Sequence, residues 1–418
     1  MKNRILILLS SFLVSLSAAA GTYQESMERL AAEDPEMVLH ANLEQDFAVL
    51  GEFLTKVYLE YQASSPEMPP VPVDYEMLFQ RLGLLNLRAA TLTSEREAEG
   101  VFLNKSIFLF DGAPEGAFLL TGSSNQPFTI LSSAPADAAA IAEIGLEGTA
   151  LLEIVRNVAI DLMGPMGQGI IDAQLSQPIT PDGLTALDIV NRLNTRVLAA
   201  MKPAAADGTE IHPAMVLLKG NIAIRLTSVG DLLASVGPLL QGAGFVPTED
   251  GSAWTFSSPA PELPIEVRLE SLPDSNDLLL TTSNASRDWF LNSTTGIGES
   301  AALQAALKGF PDSGLSLWYD DGTLGALQID NAMADLQQSE QLMPVMESLI
   351  SFMKAFTGPQ SGVSYLEEDA YRVMGRQPTS YKTQAALTAV AIPIGLFAAL
   401  NPMDPALQEE QPLPEDSE

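Results

Sequence analysis

Across residues 215–240 the chain changes period. Ile222, Ile224 and Leu226 alternate as in a strand, and Val229, Leu232, Leu233, Val236, Leu239 and Leu240 then recur at the three-and-four spacing of one helical face. Thr227 and Ser228, between the two patterns, are residues that cap helices. The stretch predicts a strand feeding an amphipathic helix that lies back over its own sheet. Similar handovers are read at 37–57, 150–163 and 324–336. With Leu43, Ile154, Leu226 and Ile329 as markers, the halves of the chain are offset by 226 − 43 = 183 and 329 − 154 = 175 residues. Strand-like alternation fills the intervals, at 101–110, 117–121 and 128–131 in the first half and at 245–248, 253–257, 265–269, 278–282 and 315–319 in the second. Gly-rich or Asp-rich turns separate these runs, notably Asp111-Gly112, Asp250-Gly251 and Asp320-Asp321-Gly322.

Two further helices are expected, a short one over 75–82 and a long one over 184–201 started by Thr180 as N-cap with Pro181 at the first helical position. Together these elements predict an α+β fold of two similar lobes, each a mainly antiparallel sheet with long amphipathic helices packed on it, in the manner of an internal duplication. No identity at the level of residues accompanies the repeated order. The expected boundaries are 1–20, 21–176, 177–382, 383–400 and 401–418.

The first and fourth of these boundaries come from the ends of the chain. Lys2 and Arg4, the apolar run 5–16 and Ala18-Ala19-Ala20 have the order of a secretory signal peptide cleaved before Gly21. Residues 383–400 form an uncharged run of about the length needed to cross a bilayer as a helix, interrupted by Pro393 and Gly395. It is a candidate membrane anchor, with an apolar helix docked on the second lobe as the alternative. The tail 401–418 is acidic and rich in proline, a composition that favours disorder.

Charge narrows the function classes. Without Lys2 and Arg4 the chain carries 21 − 2 = 19 basic residues against 53 acidic ones, a net charge of 19 − 53 = −34. Such a field repels nucleic acid, which is therefore not an expected partner. At 46% hydrophobic and 18% charged residues the chain is globular, and with no cysteine an exported fold must hold together by packing alone.

Candidate chemistry is sparse. His40 and His212 are the only histidines and no zinc or nucleotide motif accompanies them, so no cofactor is expected. Ser351 and Lys354 have the spacing that puts a hydroxyl and an amine on one helical turn, although the companion motifs of the penicillin-binding enzymes are missing. Asp274 with Asp277, Asp320 with Asp321, and Glu367-Glu368-Asp369 are clustered acids that fit turns and an edge strand better than a calcium loop. Trp254, Trp289 and Trp318 are too scattered to suggest a carbohydrate platform, and Asn104, Asn284 and Asn292 open N-x-[ST] sequons. The expected function is that of an exported, non-catalytic module binding an unknown envelope protein or apolar ligand. The alternative is an extracytoplasmic hydrolase using Ser351 and Lys354.

Overall fold

The computed structural model describes residues 20–64, 73–164, 166–204, 219–258, 266–336, 354 and 357–386. The leader 1–19, His212, Ser351, the candidate anchor beyond Ala386 and the tail 401–418 lie outside the described residues. In chain order the first half contains α1 (Ala20–Leu30), β1 (Met37–Asn42), α2 (Asp46–Ser64), α3 (Tyr75–Arg81), β2 (Leu87–Ala98), β3 (Val101–Phe110), β4 (Gln126–Pro127), α4 (Ile130–Ser133), β5 (Ala140–Glu147), α5 (Gly148–Met163) and α6 (Met166–Leu175). The second contains α7 (Ala186–Arg192), β6 (Asn194–Lys202), β7 (Asn221–Leu226), α8 (Leu232–Gly242), β8 (Val246–Pro247), β9 (Ala253–Ser257), β10 (Glu266–Leu272), β11 (Asp277–Thr281), α9 (Asn284–Leu291), α10 (Ala301–Ala306), β12 (Ser313–Gly314), β13 (Ser316–Asp320), α11 (Thr323–Leu336), β14 (Gln360–Glu367) and β15 (Ala370–Gln377).

The fold is α+β, and its strands are antiparallel as expected. They form one 13-stranded sheet in the order β1-β2-β3-β15-β14-β13-β5-β6-β7-β11-β10-β9-β8, while β4 and β12 pair apart from it. The two halves of the chain therefore share a sheet instead of building one each. Reading outward from the central β13–β5 pair gives β14, β15, β3, β2 on one side and β6, β7, β11, β10 on the other, with a hairpin, β2–β3 or β10–β11, at the same place in each. The first of these flanks thus draws strands from both sides of the expected boundary at 176/177, whereas β6, β7, β11 and β10 all lie after it and join the first half through β5.

Several local expectations are met. Asp74 caps α3 by accepting from the amides of Glu76 and Met77. Gly164, at φ 70, ends α5. Asp250-Gly251 turns between β8 and β9, with Gly251 at φ 68.

Others are shifted. The strand-to-helix handover read at 150–163 is all helix, and its strand is β5; likewise 324–336 lies in α11, and its strand is β13. The helix expected over 184–201 is confined to α7, capped by Thr185 in a reciprocal box with Asp188. The remainder of that stretch is the central strand β6, whose Val197 and Met201 point to one face and Leu198 and Ala200 to the other. Apolar on both sides, β6 loses the alternation that marks a half-buried strand, and its residues mimic a helical stripe. Residues 117–121 begin as a 3-10 turn, Gly116–Leu119, and 128–131 run into α4, so neither is a strand. Thr227 and Ser228 do not cap α8: Ser228 sits at φ 61, and the Thr227 hydroxyl instead accepts from the Arg196 amide.

Candidate functional site

Directly paired residues in a sheet share a face, so register assigns every side chain to one side or the other. Leu317, Glu143, Leu198 and Arg225 share a face across β13, β5, β6 and β7. Their face also carries Ile141, Tyr319, Val363, Ala200, Ala223 and Leu279, all buried, under Ile130 of α4, Phe290 of α9, Ile297 of the 3-10 turn Ile297–Glu299 and Leu303 of α10. On the β1–β3 flank the same face is covered by α1, through Leu30 against Ala89, Ile107, Leu109 and Ala370. This is the buried face of the sheet.

It is also the charged face. Glu143 is fully buried, accepting from Arg196 Nε at 2.5 Å and from the Ile130 amide at 2.8 Å. The Arg196 guanidinium also donates to the Gly314 carbonyl and lies 5.7 Å from the centre of the Phe128 ring. Asp277 accepts from Arg225 and from the Ser228 amide, Glu270 binds both Arg268 and Arg287, and Lys105 pairs with Glu95. Buried charges of this kind persist only when paired and hydrogen-bonded. Each has a partner here, so the carboxylates serve the fold.

The opposite face has a different composition. One row crosses all thirteen strands through Met37, Ser94, Asn104, Gly375, Gly362, Trp318, Ala142, Ala199, Ile224, Leu280, Leu269, Trp254 and Pro247. A neighbouring row supplies Ile144, Val197, Leu226 and Leu278. Over β13, β5, β6, β7 and β11 the side chains of these rows are uncharged, and Ile144 is 40% exposed. Ala142, Val197, Ala199, Met201, Ile222, Ile224, Leu226, Leu278, Leu280 and Trp318 are all only partly buried. The Trp318 indole lies flat over β14: a Cβ on Gly362 would stand 2.1 Å from its ring, so only glycine fits beneath it. This is the open face.

Among the described residues the helices reach only its margins. Helix α8 buries Leu232 and Leu233 and sets Gly237 against Trp254, over β9, and so leaves Ile222, Ile224 and Leu226 partly exposed. The expected cover of a strand by its own helix is displaced to the next strands. On the other flank Phe118 packs edge-on against Phe110 and near Phe108 and Tyr371. Beside it the Tyr381 hydroxyl is 2.7 Å from Ser106 Oγ and the Tyr381 amide donates to Ser94 Oγ. A second apolar surface is the outer stripe of α2, where Val49 is 65% exposed and Phe53, Val57 and Tyr61 continue at helical spacing.

Among the described residues, the candidate residues of the sequence are not brought together. Lys354 is exposed, and its partner Ser351 lies outside the described residues. His40 is in β1, as expected, 2.7 Å from Thr91 Oγ1 beneath α1, and burial lowers its pKa. Of the acid clusters, Asp277 is engaged by Arg225, Asp369 by Arg29 and Glu367 by Arg372, and Asp320 caps its turn through the Gly322 amide. Among the described residues no group of three or more His, Cys, Asp or Glu is placed to hold a metal ion. Asn104 is buried and its amide donates to Gln377 and Thr379, which removes it as a glycan acceptor. Among the described residues no helix is long and apolar enough to cross a membrane. A polar cleft of about 270 Å³ lined by Thr121, Ser124, Gln126, Asn194, Thr195 and Arg196 lies at the end of β5 and β6, its cation already neutralised by Glu143.

No family model, curated protein or solved structure matches this chain.

Proposed function

We propose that the protein is an exported, non-catalytic binding module whose open sheet face receives an apolar ligand of acyl-chain type. The observation that carries this reading is the mismatch between composition and cover. On a chain of net charge −32, an uncharged surface centred on Ile144, Val197, Ile224 and Leu280 stays partly exposed, while the charged side of the same strands is sealed. Large uncharged patches on an otherwise strongly charged protein are costly in water and mark sites that are covered in use. Apolar burial is worth about 25 cal/mol per Å², so several hundred Å² of such a face yields a few kcal/mol even after the costs of association. Export is supported by the charged, apolar and small-residue order of residues 1–20.

The test is titration with a dansylated long-chain fatty acid, whose emission rises and shifts to the blue in an apolar site. The expected result is saturable binding at one equivalent. Emission that rises linearly without saturation would refute a defined site.

A further inference from the structure

The open face and the chain that follows β15 meet at Tyr381. After β15 the backbone crosses to that face: Asn104 holds the Thr379 carbonyl at 2.8 Å, Ser380 starts a helical turn by accepting from the Thr383 amide, and Tyr381 is pinned between Ser94 and Ser106. The described chain ends at Ala386, five residues beyond that anchor. From Thr383 to Leu400 there is no charged residue, and Leu387, Val390, Ile392, Ile394, Leu396, Phe397 and Leu400 supply large apolar side chains.

Length decides where such a segment can lie. Twenty residues, the length of 381–400, span about 30 Å even at a rise as short as the roughly 1.5 Å of a helix, and more if extended. Six strand spacings separate β3 from β7, and at about 4.8 Å each they cover about 29 Å. The run therefore starts over β3 and is long enough to end over β7, across the strands that carry Trp318, Ala142, Ile144, Val197 and Ile224. Its composition matches that surface, uncharged against uncharged. A bilayer competes for the same segment, but the Tyr381 anchor starts it on the sheet.

We propose that residues 383–400 dock across the open face as its internal occupant, and that an external apolar ligand binds by displacing them. The competition part rests on the ligand reading above; the docking part does not. Displacement follows from mass action, because a site filled by its own chain has an apparent affinity reduced by the fraction of molecules in which it is free.

The absence of native cysteine makes the test direct in the full-length protein. Pairs Ile144→Cys with Ile394→Cys and Ile144→Cys with Leu396→Cys are oxidised, and the single variant Ile144→Cys is alkylated with a water-soluble maleimide with and without Ile392→Asp/Ile394→Asp. Docking predicts an intrachain disulfide in at least one pair, and an alkylation rate at least fivefold higher once the two aspartates are present. No disulfide in either pair, an unchanged alkylation rate, or retention of the wild-type protein in the membrane pellet after carbonate extraction would overturn it. If the aspartate variant fails to fold, the two disulfide pairs decide alone. The dansylated fatty acid separates the two layers: tighter binding to the aspartate variant supports displacement, whereas a disulfide with no binding to either form keeps the docking and removes the ligand.

Discussion

Leu279 and Leu280 are chemically identical neighbours on β11, and they live in different proteins. Leu279 is fully buried beneath α9, on the face where Glu143, Glu270 and Asp277 find their arginines. Leu280 looks out from a face with no charge near it and remains partly exposed. Hydrophobicity alone would have put the cover on the other side. The difference teaches that cover among the described residues follows the helices' own connections, with α1, α4, α9 and α10 all returning to one side and the other side left apolar and partly exposed.

The comparison can be broken most forcefully at Glu143. Glu143→Ala leaves the Arg196 guanidinium buried without its carboxylate, a loss of about 3–5 kcal/mol. Urea denaturation should show it as a lower midpoint with an unchanged slope. A stability near wild type would mean that water reaches the buried face. A smaller effect separates the two leucines. Leu279→Ala should cost about 2–5 kcal/mol by cavity formation and Leu280→Ala only about 1 kcal/mol, since the second side chain forfeits less area. Equal losses in the same denaturation series would abolish the distinction between faces.

His40 offers the mildest probe of the covered side. Burial under α1 lowers its pKa below the usual value near 6.5, so the unfolded chain binds the proton more readily than the folded one. The stability it contributes is present above pH 6.5 and is lost as the pH falls from there toward the folded-state pKa. Replacing it by Asn should flatten that part of the profile, by no more than about 2 °C in Tm between pH 7.5 and 5. A wild-type profile identical to that of His40→Asn would show the ring to be solvated.

How much of the fold was legible in the sequence depends on the physics of each signal. The β8–β9 hairpin was legible at Asp250-Gly251, because turn chemistry is local, whereas β2–β3, turned at Glu99-Gly100, and β14–β15, turned through Glu368-Asp369, were not read. The central strand β6 was not, since a strand apolar on both faces carries no period of two. The single sheet could not be read either: pairing β3 with β15 joins residues more than 260 positions apart, and nothing at either end records its partner. The residue types of the open face were all visible, and the alternation of Ile222, Ile224 and Leu226 marks their strand plainly. Their exposure was hidden because alternation tells which side chains avoid water, and says nothing of whether the protein supplies the cover. Glu143, Asp277 and Glu270 carried no signal that distinguishes a buried carboxylate from a solvated one in so acidic a chain.

One measurement bears on the open face most directly. Ile144 is 40% exposed at the centre of the sheet and Leu39, 50% exposed on the same face, stands at the edge strand β1. Aspartate at either position should be tolerated by the fold, so differences in ligand binding report the surface itself. In a titration with the dansylated fatty acid, Ile144→Asp is expected to weaken binding at least tenfold with Tm unchanged, while Leu39→Asp binds as the wild type does. Equal affinities in all three proteins would contradict the assignment of the open face as the binding surface.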